Sequence, residues 1–270
     1  MDFKKTHEYI TSRQFNPSKK MGQNFLVNEE ISQKIVEKID LSKANLVIEI
    51  GPGLGSLTDH LIDKKFDLIL IELDKRLNEF LTKRYKDKKI KIINSDVLKV
   101  DFNEISKGYK HCVIVSNLPY SISSLVVMKF LKCSNIDLFY CMLQKEMVDR
   151  IMAPVGSKKY NGLTALATYY FNIERLMNIS PNNFYPIPEV DSTFIKIKKN
   201  NKIYDEKFDK FLRTCFLNRR KTLVNNLKYT YKIDELNLVL NSLNFKLTSR
   251  AEEFTPEQLH TLYTTLNNGN

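Results

Sequence analysis

Asn117-Leu118-Pro119-Tyr120 is the stretch of this chain richest in chemical possibility. It directly follows the apolar run Cys112-Val113-Ile114-Val115, and a β-branched run that stops in Asn and Pro reads as a buried strand ending at the mouth of a sheet. Parallel sheets hold their ligands at that edge. A planar amine such as the exocyclic nitrogen of adenine is a poor nucleophile, because its lone pair is delocalised into the ring. The Asn117 side-chain oxygen and the Leu118 carbonyl, each accepting one N–H bond, would favour a more tetrahedral and more reactive nitrogen. Pro119 fixes the local backbone and adds no competing donor. Tyr120 offers a flat face for base stacking, an interaction of about 1–3 kcal/mol. The same four residues would also serve as a plain strand-ending turn around a buried tyrosine, so the surrounding chain has to decide.

Three earlier strand-like runs also end in groups that could hold a nucleoside. Leu46 to Ile50, which contains Glu49, leads into Gly51-Pro52-Gly53-Leu54-Gly55-Ser56, a turn whose glycines let the backbone approach a ligand closely. A dinucleotide fingerprint would want glycine where Ser56 stands, which disfavours a pyrophosphate cofactor and favours S-adenosylmethionine. Leu68 to Ile71 ends in Glu72, with Asp74 beyond, about twenty residues after Gly51, where a carboxylate can accept both ribose hydroxyls. Ile90 to Ile93 ends in Asn94-Ser95-Asp96, where Asp96 could accept an adenine amine and Val97 could pack on the ring. Each carboxylate alone has a commoner explanation as a helix cap; the four strand ends in succession do not.

The elements that must position these groups follow a regular beat. Apolar runs at 46–50, 67–71, 90–93, 112–115 and 137–143 alternate with helical patterns, which predicts repeated strand–helix units and a mostly parallel sheet. Right-handed crossovers bring every strand's carboxyl end to one edge. Before them, Asn28 is placed to cap a helix with Ile31, Ile35 and Ile39 on one face, and residues 1–20, with five cations, read as a basic arm. Leu163 to Phe171 reads as an apolar helix, and Thr193, Ile195 and Ile197 as an alternating strand. Beyond Lys202 the composition becomes helical and lysine-rich, so the expected domains are 1–200 and 201–270.

The 270 residues carry a formal charge of +11, suited to a polyanionic partner. No apolar run approaches the roughly 18 residues needed to cross a membrane, and Met1-Asp2-Phe3-Lys4-Lys5 precedes no signal-like core, so a cytoplasmic protein is expected. No spare apolar patch is evident, which sets the expectation of a monomer. Four scattered cysteines and four histidines show no ligand spacing, so no metal is expected.

From Lys19 to Leu266 the chain resembles the small-subunit rRNA adenine N6,N6-dimethyltransferases. The likeness rests on Gln23-Asn24-Phe25-Leu26, Glu49-Ile50-Gly51-Pro52-Gly53-Leu54-Gly55, Glu72-Leu73-Asp74, Asp96, Asn117-Leu118-Pro119-Tyr120, Phe184-Tyr185-Pro186-Ile187-Pro188-Glu189-Val190-Asp191-Ser192, Arg219-Arg220-Lys221-Thr222-Leu223 and the Arg250-Ala251-Glu252-Glu253 segment. It implies a Rossmann-like class I methyltransferase fold with a mostly parallel seven-stranded sheet and a small C-terminal helical domain. It implies S-adenosylmethionine as cofactor and small-subunit rRNA in a pre-ribosomal 30S particle as partner, with two adjacent adenines of the terminal hairpin loop each methylated twice. In that family Asn24 and Leu26 border the cofactor, Gly51 lies under its methionine end, Glu72 binds ribose, Asp96 binds adenine, and Asn117 touches both cofactor and target base. Phe184 would be a second stacking ring, with ordinary core packing as its rival. Arg219, Arg220 and Lys221 would grip RNA phosphates or orient the two domains, with a solvated charged face as theirs. The macrolide-resistance methyltransferases of large-subunit rRNA share the clamp, and a non-catalytic RNA-binding assembly factor could share the fold. Leu118, where isoleucine is usual in the resistance enzymes, and the Pro-Ile-Pro-Glu-Val-Asp-Ser segment favour the small-subunit reading.

Overall fold

The computed structural model describes residues 10, 16–18, 21–118 and 122–268. The chain divides into two units, Met1–Lys145 with Ile173–Lys199 and Glu146–Asn172 with Asn200–Asn270. In the first unit a short strand β1 (Phe25–Leu26) precedes helix α1 (Glu29–Glu37), which Asn28 caps by accepting from Ile31 N at 3.3 Å. Then come β2 (Leu46–Ile50), α2 (Thr58–Leu61), β3 (Asp67–Glu72), α3 (Lys75–Arg84), β4 (Ile90–Asn94), α4 (Phe102–Ile105), β5 (Cys112–Asn117), α5 (Ser123–Lys132) and β6 (Leu138–Gln144). β2 is buried along its whole length and β5 over Cys112–Ser116, as strands covered by helices on both faces must be, and this is why they read as near-continuous apolar runs.

After β6 come α6 (Lys145–Ile151), α7 (Gly162–Tyr170), β7 (Phe171–Ile179), β8 (Phe184–Tyr185) and β9 (Ser192–Lys199). The seven-stranded sheet has the order β4-β3-β2-β5-β6-β9-β7. β4, β3, β2, β5 and β6 run parallel and β9 is antiparallel to β6, so the mostly parallel seven-stranded sheet is present. β1 and β8 form a separate antiparallel pair, with Leu26 opposite Phe184 and Phe25 opposite Tyr185. The order reverses between β2 and β5: the chain runs outward from β2 through β3 to β4, then returns to β5 on the other side. That reversal opens a crevice at the carboxyl ends of β2 and β5.

The second unit holds α6, α7 and the helices α8 (Glu206–Cys215), α9 (Leu223–Leu227), α10 (Ile233–Ser242) and α11 (Pro256–Asn268). The division expected near residue 200 therefore marks only the third and last crossing between the units, since residues 146–172 group with the C-terminal helices. The cause is packing at a distance. Tyr169 of α7 meets Phe208 of α8 edge-on at 4.9 Å and stacks on His260 of α11 at 5.0 Å. Nothing local marks the first crossing, because Gln144 of β6 runs straight into Lys145 of α6 without glycine or proline. The apolar segment expected to stay helical through Phe171 becomes strand β7 at that residue. Among the described residues no helix is long and apolar enough to cross a membrane. Nearly all of the basic arm lies outside the described residues.

Candidate active site

Gly51, Gly53 and Gly55 carry the chain out of β2 over the crevice. Gly51 donates its N–H to Ile71 O at 2.9 Å, and a Cβ there would lie 3.8 Å from Asn117 O, so the β2 exit and the end of β5 are in near contact. Two of these glycines are required by their surroundings. A Cβ on Gly53, at φ +59°, would come within 3.0 Å of Phe25 Cδ1, and one on Gly55, at φ +86°, within 2.3 Å of Tyr85 Oη. Tyr85 is buried beneath the loop and donates its hydroxyl to Asp59 Oδ1 at 2.7 Å.

Two buried carboxyl groups bracket the loop. Glu72, at the end of β3, accepts from Gly53 N at 3.1 Å with Oε2 and from Asp74 N at 2.9 Å with Oε1. Its orientation is thus set by backbone, and each oxygen keeps a lone pair for a further donor. Burial raises its carboxyl above the ordinary value, against the pull of those N–H bonds. Asp74 is held the other way: the Arg76 guanidinium beside it, 3.0 Å from Nε to Oδ1, and the Gln23 amide at 3.0 Å keep it below the usual range. Glu49, in the middle of the sheet, is pushed up to about 8 by burial, although Thr58 donates to its Oε2 at 2.7 Å.

At the end of β5 the Asn117 side chain donates from Nδ2 to Asn24 O at 3.2 Å, which leaves Oδ1 as an acceptor. Asp96 follows β4 and accepts from Leu98 N at 2.9 Å through Oδ1, with no other partner for the carboxylate among the described residues. The structure brings Asn24, Leu26, Gly51, Gly53, Glu72, Asp96, Val97, Asn117 and Leu118 together around one cavity. Pro119 and Tyr120 lie outside the described residues.

Phe184 does not join them. It is 1% exposed and belongs to the core cluster that includes Leu26, Val115, Tyr140 and Phe194, so it has no open face for a base. Its place in the β1–β8 pair turns it into the core. Arg219 is also engaged differently from the expectation. In the loop between α8 and α9 its Nε and Nη2 donate to Glu252 Oε2 at 2.9 and 2.8 Å, and its Nη1 donates to Lys158 O at 2.5 Å. The guanidinium therefore ties two loops of the second unit together. Arg220 and Lys221 beside it are exposed.

Reading the sequence for single residues missed Tyr85, which lies thirty positions after the glycine it abuts, and the tie from Gln23 to Asp74. Neither carries a local signal. Among the described residues no group of three or more His, Cys, Asp or Glu side chains is placed to hold a metal ion.

Comparison with known proteins places this geometry. The family model described as "Ribosomal RNA adenine dimethylase" matches residues 14–268. A ribosomal RNA small subunit methyltransferase A from Malacoplasma penetrans is 45% identical over 92% of this chain and 92% of its own length. A protein of the same description from Borreliella burgdorferi is 38% identical over 96% of this chain and 92% of its own. Among solved structures, a dimethyladenosine transferase from Plasmodium falciparum matches with a TM-score of 0.78 at 24% identity, over 90% of this chain and 98% of that one. The 23S rRNA methyltransferase ErmE matches with a TM-score of 0.69 at 22% identity, over 90% and 99%. At these identities the two structures speak to the fold alone.

Proposed function

The chain belongs to the ribosomal RNA adenine dimethylase family, and from that premise we propose that it methylates, from S-adenosylmethionine, the N6 amines of two adjacent adenosines in the 3′-terminal hairpin loop of small-subunit rRNA. The product is N6,N6-dimethyladenosine, formed within a pre-ribosomal 30S particle as a step in small-subunit biogenesis. The observation that carries this reading is the commitment of the Asn117 amide N–H to Asn24 O, which leaves the amide oxygen to accept at the strand switch point.

The residues present fit the cofactor. Gly53 against Phe25 and Gly55 against Tyr85 leave no room for side chains at those two positions, and Glu72 is oriented by two backbone N–H groups with lone pairs to spare for ribose hydroxyls. Asp96 would take the adenine amine and buried Val97 its ring face. Asn24, Leu26, Gly51 and Gly53 would enclose the remainder. When bound, the cofactor supplies an electrophilic methyl group on a sulfonium.

The chain's own part is to prepare the nucleophile. Asn117 Oδ1 and the Leu118 carbonyl would accept the two N–H bonds of the target amine, drawing the nitrogen toward tetrahedral geometry. The amine gains positive charge as the new bond forms, and the same two acceptors stabilise that charge without a strong base. The methyl group's bond to sulfur would break as the N–C bond forms, with its electron pair left on sulfur, and the ammonium proton would then pass to water. Tyr120 would stack on the base, and holding the amine against the methyl group supplies much of the remaining acceleration. A target in a loop leaves its stack more cheaply than one in a duplex. Arg220 and Lys221 would contact RNA phosphates, with the chain's net positive charge drawing the RNA in.

A second reading, methylation of large-subunit rRNA, shares the clamp. The descriptions of the 45% and 38% identical relatives favour the small subunit. The test is methyl incorporation from labelled S-adenosylmethionine into unmethylated small subunits, unmethylated large subunits and free RNA, with the product nucleoside identified. Dimethyladenosine in small-subunit RNA is expected. Label in large-subunit RNA moves the assignment to the second reading, and tight RNA binding without label leaves a non-catalytic assembly factor.

A further inference from the structure

Lysines gather at the edge of the sheet opposite the cavity. The parallel strands begin at that edge: Leu46 pairs with Asp67 and with Cys112, Leu68 with Ile90, and Val113 with Leu138, which faces Lys198 near the end of β9. The segments there, 40–45, 63–67, 86–89, 107–111, 132–137 and 198–199, hold eleven lysines against five aspartates. The loops at the cavity edge, 51–57, 73–74 and 95–101, hold Lys99 against Asp74, Asp96 and Asp101.

Part of the basic edge is neutralised locally. Lys88 bonds to Asp63, Lys89 lies 3.5 Å from Asp67, and the Lys199 ammonium donates to Cys133 O. Lys43, Lys64, Lys65, Lys107, Lys110 and Lys198 are exposed and have no carboxylate of the described residues within ion-pair distance. Two adjoining grooves share Lys64 and Lys65; one is also lined by Lys43 and His111, the other by Lys89 and Tyr109.

We propose that this edge is a second RNA contact, which takes the phosphate backbone of an RNA segment separate from the one that presents the target adenine. Lysines on unrelated loops form a field of mobile point charges without a fixed hydrogen-bond pattern, which suits phosphates rather than base edges. A five-residue strand keeps the two edges about 17 Å apart. A small hairpin engaged at the cavity stays away from the lysines, whereas a large folded RNA reaches both edges. The proposal rests on the rRNA reading above and adds to it the surface by which this chain holds a particle apart from its target hairpin.

The test compares the full chain with its Lys64→Gln/Lys65→Gln/Lys110→Gln variant, measuring affinity for unmethylated small subunits and for the isolated terminal hairpin across a salt series. Loss of three phosphate contacts flattens the log–log salt slope by about 0.9 per contact, and particle affinity near 0.1 M salt falls roughly 10- to 100-fold. Hairpin affinity stays unchanged, and arginine at the same three positions restores particle binding. Unchanged particle affinity and slope would overturn the proposal. So would an equal loss on the hairpin, or particle binding left intact while binding to phosphatidylserine vesicles is lost. Particle binding reads the lysine edge and methyl transfer reads the reaction, so the two can fail separately.

Discussion

Replacing Gly55 by alanine tests whether the loop over the cavity is held from beneath by Tyr85. The new Cβ would stand 2.3 Å from Tyr85 Oη and 3.2 Å from Cζ, at a backbone φ of +86°. A side chain in that left-handed conformation costs about 1–2 kcal/mol. Tyr85 can yield only by giving up its 2.7 Å bond to Asp59, and a hydrogen bond to a charged group contributes about 1.5–3 kcal/mol. The expected destabilisation is therefore about 3–4 kcal/mol, read by urea unfolding. Calorimetric titration should show S-adenosylmethionine binding at least about tenfold weaker, since 1.4 kcal/mol of loop displacement suffices for that. Tyr85→Phe removes the clashing oxygen, and in the Gly55→Ala background it should recover about 1–2 kcal/mol beyond additivity. The reasoning is refuted if Gly55→Ala matches the wild type in both measurements, or if the two substitutions simply add.

Two further outcomes follow from the electrostatics. Glu49 keeps its proton in the folded chain up to about pH 8, whereas the unfolded chain releases it near 4.5, so folding stability falls as pH rises between those values. Glu49→Gln should remove that dependence: from pH 5 to pH 8 the wild type should lose about 2–4 kcal/mol more unfolding free energy than the variant. Parallel losses in urea titrations at the two pH values would show that Glu49 does not carry the effect. Arg219→Ala should destabilise the chain by about 1 kcal/mol, the scale of a partly exposed, charge-assisted tie, and leave the salt slope of RNA binding unaltered. Arg220→Gln with Lys221→Gln should do the reverse, sparing stability and flattening the slope by about one per lost phosphate contact. A slope change in Arg219→Ala would return its guanidinium to the RNA.

Most of the sheet was legible because β2, β3, β5 and β6 are buried over nearly their whole length. Residues 46–50, 67–71, 90–93, 112–115 and 137–143 stand out as apolar runs, and the observed strands depart from them by two residues at most. The first helix cap was legible for a local reason: Asn28 accepts from Ile31 N within one turn. The cavity could be read because right-handed crossovers bring strand ends together, and Glu72, Asp96 and Asn117 each close a strand or follow one. What escaped depends on partners far along the chain. Phe184 is turned inward by pairing with Leu26, and Arg219 is held by Glu252 and Lys158. Residues 146–172 belong with the second unit because α7 needs the aromatic faces of α8 and α11. None of these has a signature in its own neighbourhood.

The central claim is that the Asn117 amide oxygen, left as an acceptor by the bond to Asn24 O, activates the target amine beside the cofactor. Single-turnover methyl transfer to unmethylated small subunits by Asn117→Ala, at saturating S-adenosylmethionine with cofactor affinity measured in parallel, tests it most directly. The predicted result is a rate lower by about 10²–10³, the scale of removing one preorganised hydrogen-bonding group from a transition state, with cofactor affinity changed only a few-fold. An unchanged rate at saturating cofactor would contradict the claim and return the end of β5 to a structural turn.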